Sequence, residues 1–338
     1  MHAPLSARRE APPNGVIETL TAGYAAIHRQ LWVLLVPVLV DVLLWLGPHV
    51  SYSPLVDPAV THATEWARQV ATATPRRGQP RNPELASQLE TFRVWTMSRT
   101  SDTNAVSLLA RGPLVVPSLV AAIGGAGSLA FVNDWPEGVM LLLGLFGLSL
   151  LLGGCFYGGL AGASLGRPAD PFVVGRQAPR RALKVLGLLA ATLGVGLLLG
   201  LPVLLLVGFT ALVAPSLALL GVLLVLVALL LAEIHLFFAV DAIFVSDVGP
   251  LAAVQRSVGL VRHHLWPTVA LIFLTWLILA GMGRAFELLA TLLRPPFGVA
   301  LAILGNAYIA SGLIAAGMIF YSERAEAHAQ SGAARAVA

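Results

Sequence analysis

One stretch of this sequence limits the fold more than any other, because residues 185–232 contain no charged side chain. A transmembrane helix needs about 20 mainly apolar residues to cross about 30 Å of hydrocarbon, so this stretch is far too long for one span. Pro202 and Pro215 offer a break between two helices. The stretch therefore predicts two membrane spans, at 184–209 and 215–241.

The composition of the whole chain agrees with this class. Of its 338 residues 57% are hydrophobic and 11% are charged, whereas soluble domains are about 45–50% apolar and about 25% charged. Apolar stretches of sufficient length predict four more spans, at 31–50, 136–163, 267–290 and 297–321. The predicted fold class is therefore an all-α polytopic membrane helix bundle with six transmembrane helices, forming a single membrane domain over 1–338.

The basic residues are spread along the loops between the predicted spans. The formal net charge is +4, but there is no concentrated basic patch of the kind that binds nucleic acid, and no such partner is expected. The Arg-bearing loops 166–184 and 247–266 fall on one side with the carboxyl-terminal tail. The positive-inside rule makes that side cytoplasmic. We therefore expect a multi-pass protein of the cell (plasma) membrane with both termini in the cytoplasm.

The segment 113–132 leaves two topologies open. It is uncharged and long enough to cross, but it contains Pro113, Pro117 and several glycines. A seventh span here would move the amino terminus outside and residues 51–112 inside. The distribution of Arg favours six spans, which makes 51–112 an extracytoplasmic cap and 113–132 a re-entrant or surface apolar segment.

Two amphipathic segments share one pattern, with each apolar residue of the second lying 234 positions after its counterpart. These residues are Ile17, Leu20, Tyr24, Ile27 and Leu31 in the first segment, and Leu251, Val254, Val258, Val261 and Leu265 in the second. Their spacing places them on one stripe of a helix, and both segments end in basic residues followed by Leu-Trp. The pattern predicts cytoplasmic interfacial helices at 14–31 and 247–265, either as an internal repeat or as two unrelated amphipathic helices.

An amphipathic helix that ends in basic residues and Trp and leads straight into a span resembles a bacterial family. These are the multi-pass proteins grouped with the membrane domain of glycerophosphoryl diester phosphodiesterases. The run from Asp241 to Val258 resembles their cytoplasmic hairpin. The resemblance covers the last third of the chain and the first span. It implies an architecture and not an activity, because the sequence contains no phosphodiesterase catalytic domain.

Ionisable residues inside the predicted spans are the candidate functional residues, because charge is costly in a bilayer. These residues are Asp41, Glu233, His235, Asp241, Arg284 and Glu287. Arg284 and Glu287 are three positions apart on one helix face and can pair with each other. Asp41 and Glu233 each need a buried partner or a water-lined cavity, and a proton or cation pathway through them is the alternative interpretation.

Motifs of enzymes are weak or missing in the sequence. Residues 162–166 match the Gly-x-Ser-x-Gly pattern of hydrolases, with Ser164 at its centre, but they end a predicted membrane helix. There is no P-loop and no His-Glu-x-x-His, and Cys155 is the only cysteine. We therefore predict no catalytic residue, no cofactor and no metal site.

The sequence thus leaves three functional hypotheses. The first is a non-enzymatic membrane component or subunit whose partners are membrane lipids and other membrane proteins. The second is a small-solute or lipid transporter that uses the intramembrane carboxylates, and helix breaks at prolines allow it. The third is a membrane-embedded hydrolase in which Ser164 acts with His235.

Overall fold

The computed structural model describes residues 14–73, 83–124, 128–293 and 295–337. Within these ranges the chain forms thirteen α-helices, two short 3-10 turns and one small two-stranded sheet. The predicted all-α fold class is confirmed.

The amino-terminal half contains one long apolar helix and several shorter elements. They are α1 (Val16–Arg29), α2 (Leu35–Leu46), β1 (His49–Ser51), α3 (Ser53–Ala73), α4 (Pro83–Asp102), α5 (Leu108–Arg111), α6 (Val120–Ile123), β2 (Leu129–Phe131) and α7 (Trp135–Ser164).

The carboxyl-terminal half consists of helices only, within the same described ranges. They are α8 (Pro171–Val213), α9 (Pro215–Leu236), α10 (Ala239–Ser246), α11 (Pro250–His263), α12 (Leu265–Leu292) and α13 (Phe297–Val337).

Five helical segments of the described chain are long and apolar enough to cross a membrane. They are Trp135–Ser164, Pro171–Ala211, Ser216–Ser246, Leu265–Leu292 and Phe297–Ala327. The segment Leu31–Leu46 gives a sixth candidate only together with α1, and the two are bent by 93° at their junction. It consists of a four-residue 3-10 turn and the twelve-residue α2, so it is shorter than the span predicted at 31–50.

The chain divides into two compact units, and the single membrane domain expected from the sequence stays a prediction. One unit contains the residues up to Leu34 together with 154–285 and 305–338, of which 14–34, 154–285 and 305–337 are described. The other contains 35–153 and 286–304. Several helices continue from one unit into the other.

The second unit contains the predicted cap and the segment 113–132. In the cap α3 packs against α4, while β1 pairs in parallel with β2, in the register His49 to Leu129. Described residues of 113–132 form irregular backbone, the four-residue α6 and β2 rather than a long helix. Leu114 and Val116 are each 1% exposed, whereas Leu129 and Phe131 are 60% and 53% exposed, so protein covers only part of this segment.

The two amphipathic segments form helices of the same length in the first unit. Both α1 and α11 have 14 residues, and their first and last residues are each 234 positions apart. In both helices the buried face carries small residues beside the apolar stripe, and Gly23 and Ser257 occupy equivalent buried positions on it. The first residues of the two stripes, Ile17 and Leu251, are about 70% exposed.

Candidate functional site

Asp41 lies on α2 and is completely buried. Its Oδ2 accepts a hydrogen bond from the backbone N–H of Leu119 at 3.0 Å, and its Oδ1 accepts one from the N–H of Val120 at 3.0 Å. The hydroxyl of Ser118 donates to the same Oδ1, and it accepts in turn from the N–H of Ala121 at 3.0 Å. The carboxylate therefore satisfies the N–H groups where α6 begins.

This arrangement gives Asp41 a structural function. Backbone N–H groups of irregular chain have no partner in hydrocarbon, and each costs several kcal/mol if left unpaired. A carboxylate on the neighbouring helix can supply two or three acceptor positions at once. The sequence predicts that Asp41 needs a buried partner or a water-lined cavity. The partner is the backbone of the segment 113–132.

Glu233 lies in α9 with an exposed side chain, in the first unit. It lines a groove of about 440 Å³ formed by α9 and α12, together with Phe237, Thr275 and Trp276. The other lining residues are aliphatic. The groove thus has one carboxylate in a mainly apolar wall. The other carboxylate of the predicted pathway, Asp41, does not line it and belongs to the other unit.

The predicted span 215–241 is broken between α9 and α10. Ser257 of α11 bridges this break, because its hydroxyl donates to the His235 carbonyl at 2.7 Å and accepts from the Phe238 N–H at 3.1 Å. Nδ1 of the His235 ring contacts the Leu231 carbonyl of the same helix at 2.7 Å. Ser257 therefore stabilises this interruption, while residues 216–246 still form one apolar helical segment and both α9 and α10 pack against α11.

Asp241 lies in the first turn of α10 and is 7% exposed. Its Oδ2 faces α13 at Gly317, where an added Cβ would lie 3.5 Å away. The surrounding core is aromatic, with Phe238 stacked on Phe320 at 5.3 Å between ring centroids. Asp241 is therefore more deeply buried than Glu233, the other predicted carboxylate in this unit.

Arg284 and Glu287 both lie on α12, three residues apart as the sequence indicates. Their pairing stays a prediction. Their positions fall on opposite sides of the boundary between the two compact units.

Residues 162–166, which match the Gly-x-Ser-x-Gly pattern, form the carboxyl-terminal end of α7. Gly166 has φ of +66°, its N–H bonds to the Ala163 carbonyl at 3.1 Å, and the Arg167 N–H bonds to the Gly162 carbonyl at 3.0 Å. This pair of bonds is the Schellman motif that commonly closes helices at glycine. The Ser164 hydroxyl donates to the Ala161 carbonyl of its own helix at 2.9 Å. The glycines of this match are therefore explained by the end of α7.

A cluster of charges connects α8 to the residue after α10. Lys184 Nζ donates to the Asp247 carboxylate and to its carbonyl, both at 2.6 Å, and Arg180 lies 3.7 Å from the same carboxylate. The hydrogen bond from Lys184, with the attraction of the nearby cations, lowers the pKa of Asp247 below its ordinary value. Asp247 also has a left-handed φ of +51°, a conformation that Asp tolerates better than most residues.

The sequence prediction missed a cavity between α11 and α13, whose basic residues include Arg256 and Arg324. Arg324 is 5% exposed although it is charged. The signal available in the sequence is an Arg close to the end of the apolar part of α13. No three metal-ligating side chains cluster within the part of the chain that the structure describes.

The fold defines a class, that of all-α membrane proteins with five or six apolar helical segments long enough to cross a membrane. Residues 102–326 match the family model described as a domain of unknown function, DUF7847. The match covers more than half of the chain, so the chain belongs to this family. No curated protein and no solved structure matches it.

Proposed function

We propose that this protein is a non-enzymatic multi-pass component of the plasma membrane, with both termini cytoplasmic, that acts through lipids and other membrane proteins. The observation that carries the proposal is the surface of the α8–α9 hairpin. Within its most apolar windows the two helices have a mean hydropathy of 2.4 and 2.9, and only 0% and 6% of those residues are buried inside the chain.

Between residues 193 and 231 the hairpin presents many large aliphatic side chains on its surface. Leu198 on α8 is 73% exposed, and Leu219 and Leu224 on α9 are 72% and 62% exposed. The two helices pack on each other, and few of these side chains contact the rest of the chain. Helices associate in a membrane by close packing, so this surface is suited to the helices of a partner as well as to lipid.

The internal contacts of the charged residues support the same proposal. Asp41 is engaged by backbone N–H groups, and Asp247 by Lys184 and Arg180. Each of these charges therefore has a structural partner, which is what a scaffold requires.

Site-specific photocrosslinking in native membranes tests the proposal. A photoreactive phenylalanine analogue replaces Leu198 or Leu224 on the hairpin, and Met140 on α7, which is 74% exposed, serves as the matched control. We expect a discrete protein adduct at both hairpin positions and none at Met140. Adducts of lipid alone at all three positions would contradict the subunit proposal.

The helix break between α9 and α10 favours transport as a second candidate function. Interrupted helices are frequent at the binding sites of transporters, and Glu233 lines a groove next to this break. Because Asp41 is engaged elsewhere, Glu233 is the carboxylate to test. In proteoliposomes, Glu233→Gln should abolish proton-coupled solute uptake if the protein is a transporter, and equal uptake by the two proteins would exclude this role for Glu233.

We also propose that the architectural resemblance to the membrane domain of glycerophosphoryl diester phosphodiesterases reflects a shared fold. The support is that α11 is an amphipathic helix that leads directly into α12, as the resemblance implies. A solved structure of that membrane domain with the equivalent of the α10–α11 hairpin would test this proposal by superposition.

A further inference from the structure

A cavity of about 400 Å³ opens between α11 and the end of the membrane-crossing part of α13. Four basic side chains line it, together with Tyr321 and small or apolar residues. They are Arg256, His263, His264 and Arg324. No Asp or Glu is among the described residues that line the cavity. The cavity is therefore a basic site whose own wall supplies no counter-charge.

The two sides of the cavity present their cations differently. On α11, Arg256 and His263 are seven positions apart, so they lie on one helix face, and both are exposed. Arg256 forms no ion pair within the described ranges. This side of the cavity thus offers a cation to an incoming group.

Arg324 on α13 is held in place before any ligand arrives. Its guanidinium lies 3.5 Å from the Phe320 ring centroid, one Nη donates to the Asn14 carbonyl at 3.0 Å, and its Nε is buried without a hydrogen-bond partner. The nearest carboxylate oxygen is that of Glu323 at 4.0 Å, and Asn14 Nδ2 donates to the same carboxylate at 2.6 Å. A buried cation so weakly neutralised favours an anion in the adjoining cavity.

The position of the cavity along the helices places it at the level of lipid headgroups. It lies on α11, which ends where the apolar helix α12 begins, and Trp266 at this junction is 81% exposed. Trp is enriched at membrane–water interfaces. Arg324 lies three residues before the end of the membrane-crossing segment Phe297–Ala327.

We propose that this cavity binds a phosphate-bearing anion, supplied either by the headgroup of an anionic phospholipid or by a soluble phosphate. The exposed guanidinium of Arg256 can donate two parallel hydrogen bonds to phosphate oxygens. Arg324 on the facing helix, whose two Nη atoms donate to the Phe320 and Asn14 carbonyls, adds a fixed positive charge. The proposal goes beyond the proposed function, since it holds whether or not the protein has a protein partner.

Native mass spectrometry of the full-length protein tests the proposal. The protein is reconstituted in nanodiscs of equal parts phosphatidylglycerol and phosphatidylcholine, released, and scored for retained lipid. The variant Arg256→Gln removes a cavity cation, and Arg262→Gln removes an exposed cation from the same helix that does not line the cavity. We expect preferential retention of phosphatidylglycerol, reduced about tenfold by Arg256→Gln and unchanged by Arg262→Gln, as for loss of a charge-assisted hydrogen bond.

Thermal unfolding in detergent without phosphatidylglycerol distinguishes a soluble phosphate from a lipid headgroup as the source of the anion. A rise in the thermal unfolding midpoint with millimolar inorganic phosphate, lost in Arg256→Gln, assigns a soluble phosphate, whereas retention of phosphatidylglycerol without this rise assigns the lipid. Equal loss of lipid in the two variants would overturn the proposal, because it indicates attraction to surface charge alone. Absence of both lipid preference and phosphate stabilisation would overturn it as well. The variant His263→Gln, which changes a second side chain of the cavity wall, should also reduce the retention of phosphatidylglycerol.

Discussion

At the scale of single residues, the buried charge of Asp41 is explained by the backbone groups near it. A carboxylate in an apolar span suggests transport when only the sequence is known. In the structure Asp41 accepts from the N–H groups of Leu119 and Val120 and from the Ser118 hydroxyl, so it holds irregular chain in place. Its burial is therefore consistent with stability rather than with ion passage.

The variant Asp41→Asn tests this function. An amide supplies one acceptor oxygen, and its NH₂ group faces N–H groups that also donate. Loss of a buried hydrogen bond to a charged group costs about 1–3 kcal/mol, so the thermal unfolding midpoint in detergent should fall. The control Glu233→Gln changes an exposed carboxylate that forms no hydrogen bond within the described ranges, and its midpoint should match that of the wild type. Equal midpoints for Asp41→Asn and wild type would contradict the anchoring function.

Asp247 gives a prediction on pH dependence. Because the hydrogen bond from Lys184 lowers the pKa of Asp247 below its ordinary value of 3.8, the pair stabilises the folded state above about pH 4. This contribution is lost as the pH falls through the lowered pKa, where the carboxylate is protonated. The side chain is about half exposed, so the contribution is limited to ~0.2–1 kcal/mol by solvent screening.

The variant Asp247→Asn isolates that charge, because Asn also tolerates the left-handed backbone at this position. We expect a small loss of stability at pH 7 and a difference from the wild type that shrinks as the pH falls below about 4. Thermal unfolding measured across this range gives the comparison, and Asp134→Asn in the turn before α7 serves as the control. A difference that persists unchanged below pH 3 would show that the effect is not electrostatic.

At the scale of helices, α1 is attached to α13 through small residues. An added Cβ at Gly23 would lie 2.7 Å from the Ala316 Cβ and would also overlap the Gly312 carbonyl, while Gly312 faces the Tyr24 ring. The Tyr308 hydroxyl lies 3.0 Å from Nε2 of His28 and extends this contact. The amphipathic α1 is thus packed on a membrane helix along one face.

Gly23→Ala should therefore destabilise the protein although alanine favours helices. Overpacking costs about 1–3 kcal/mol, which exceeds the gain in helix propensity of about 1 kcal/mol. The control Gly196→Ala on α8 has open space around its Cβ and should be neutral or stabilising. Thermal unfolding of both variants measures the difference. If Gly23→Ala were as stable as Gly196→Ala, the close contact of α1 with α13 would be wrong.

The sequence predicted the apolar helices better than the short elements between them. Long uncharged runs such as 185–232 are limited to helices in a membrane, so their class follows from composition alone. The helix α4 begins at Pro83, and proline is favoured at the first position of a helix. The pairing of β1 with β2 was missed because three-residue strands leave little periodic signal. The helix α3 was missed as well, although its apolar residues do follow a helical period.

The candidate site was less predictable than the fold, because it depends on contacts between residues that are distant in the sequence. A sequence shows that Asp41 or Glu233 is charged within an apolar run, but not what lies opposite. Asp41 is satisfied by backbone N–H groups about 78 positions away, and backbone groups have no sequence signature. The interruption after His235 depends on Ser257 from another helix. It contains no proline or glycine, so the local sequence does not indicate it.

At the scale of the whole molecule, the described residues give five or six candidate spans and no helix for a seventh. Five segments pass by length and hydropathy, and the sixth requires the bent pair of α1 with Leu31–Leu46. The competing seventh span would lie in 113–132, whose described residues contain no helix longer than four residues. A topology with six spans places residues 51–112 and the helix α11 on opposite sides of the membrane.

Accessibility of single cysteines to an impermeant thiol reagent tests this topology. The background variant Cys155→Ala removes the only cysteine, and Thr91→Cys on α4 or Arg262→Cys on α11 then places one thiol at an exposed position. In intact cells we expect labelling at position 91 and not at 262, and labelling at both after the membrane is opened. Absence of labelling at 91 in intact cells, with labelling after opening, would place the cap in the cytoplasm. A seventh crossing would then be required, and the amino terminus would lie outside.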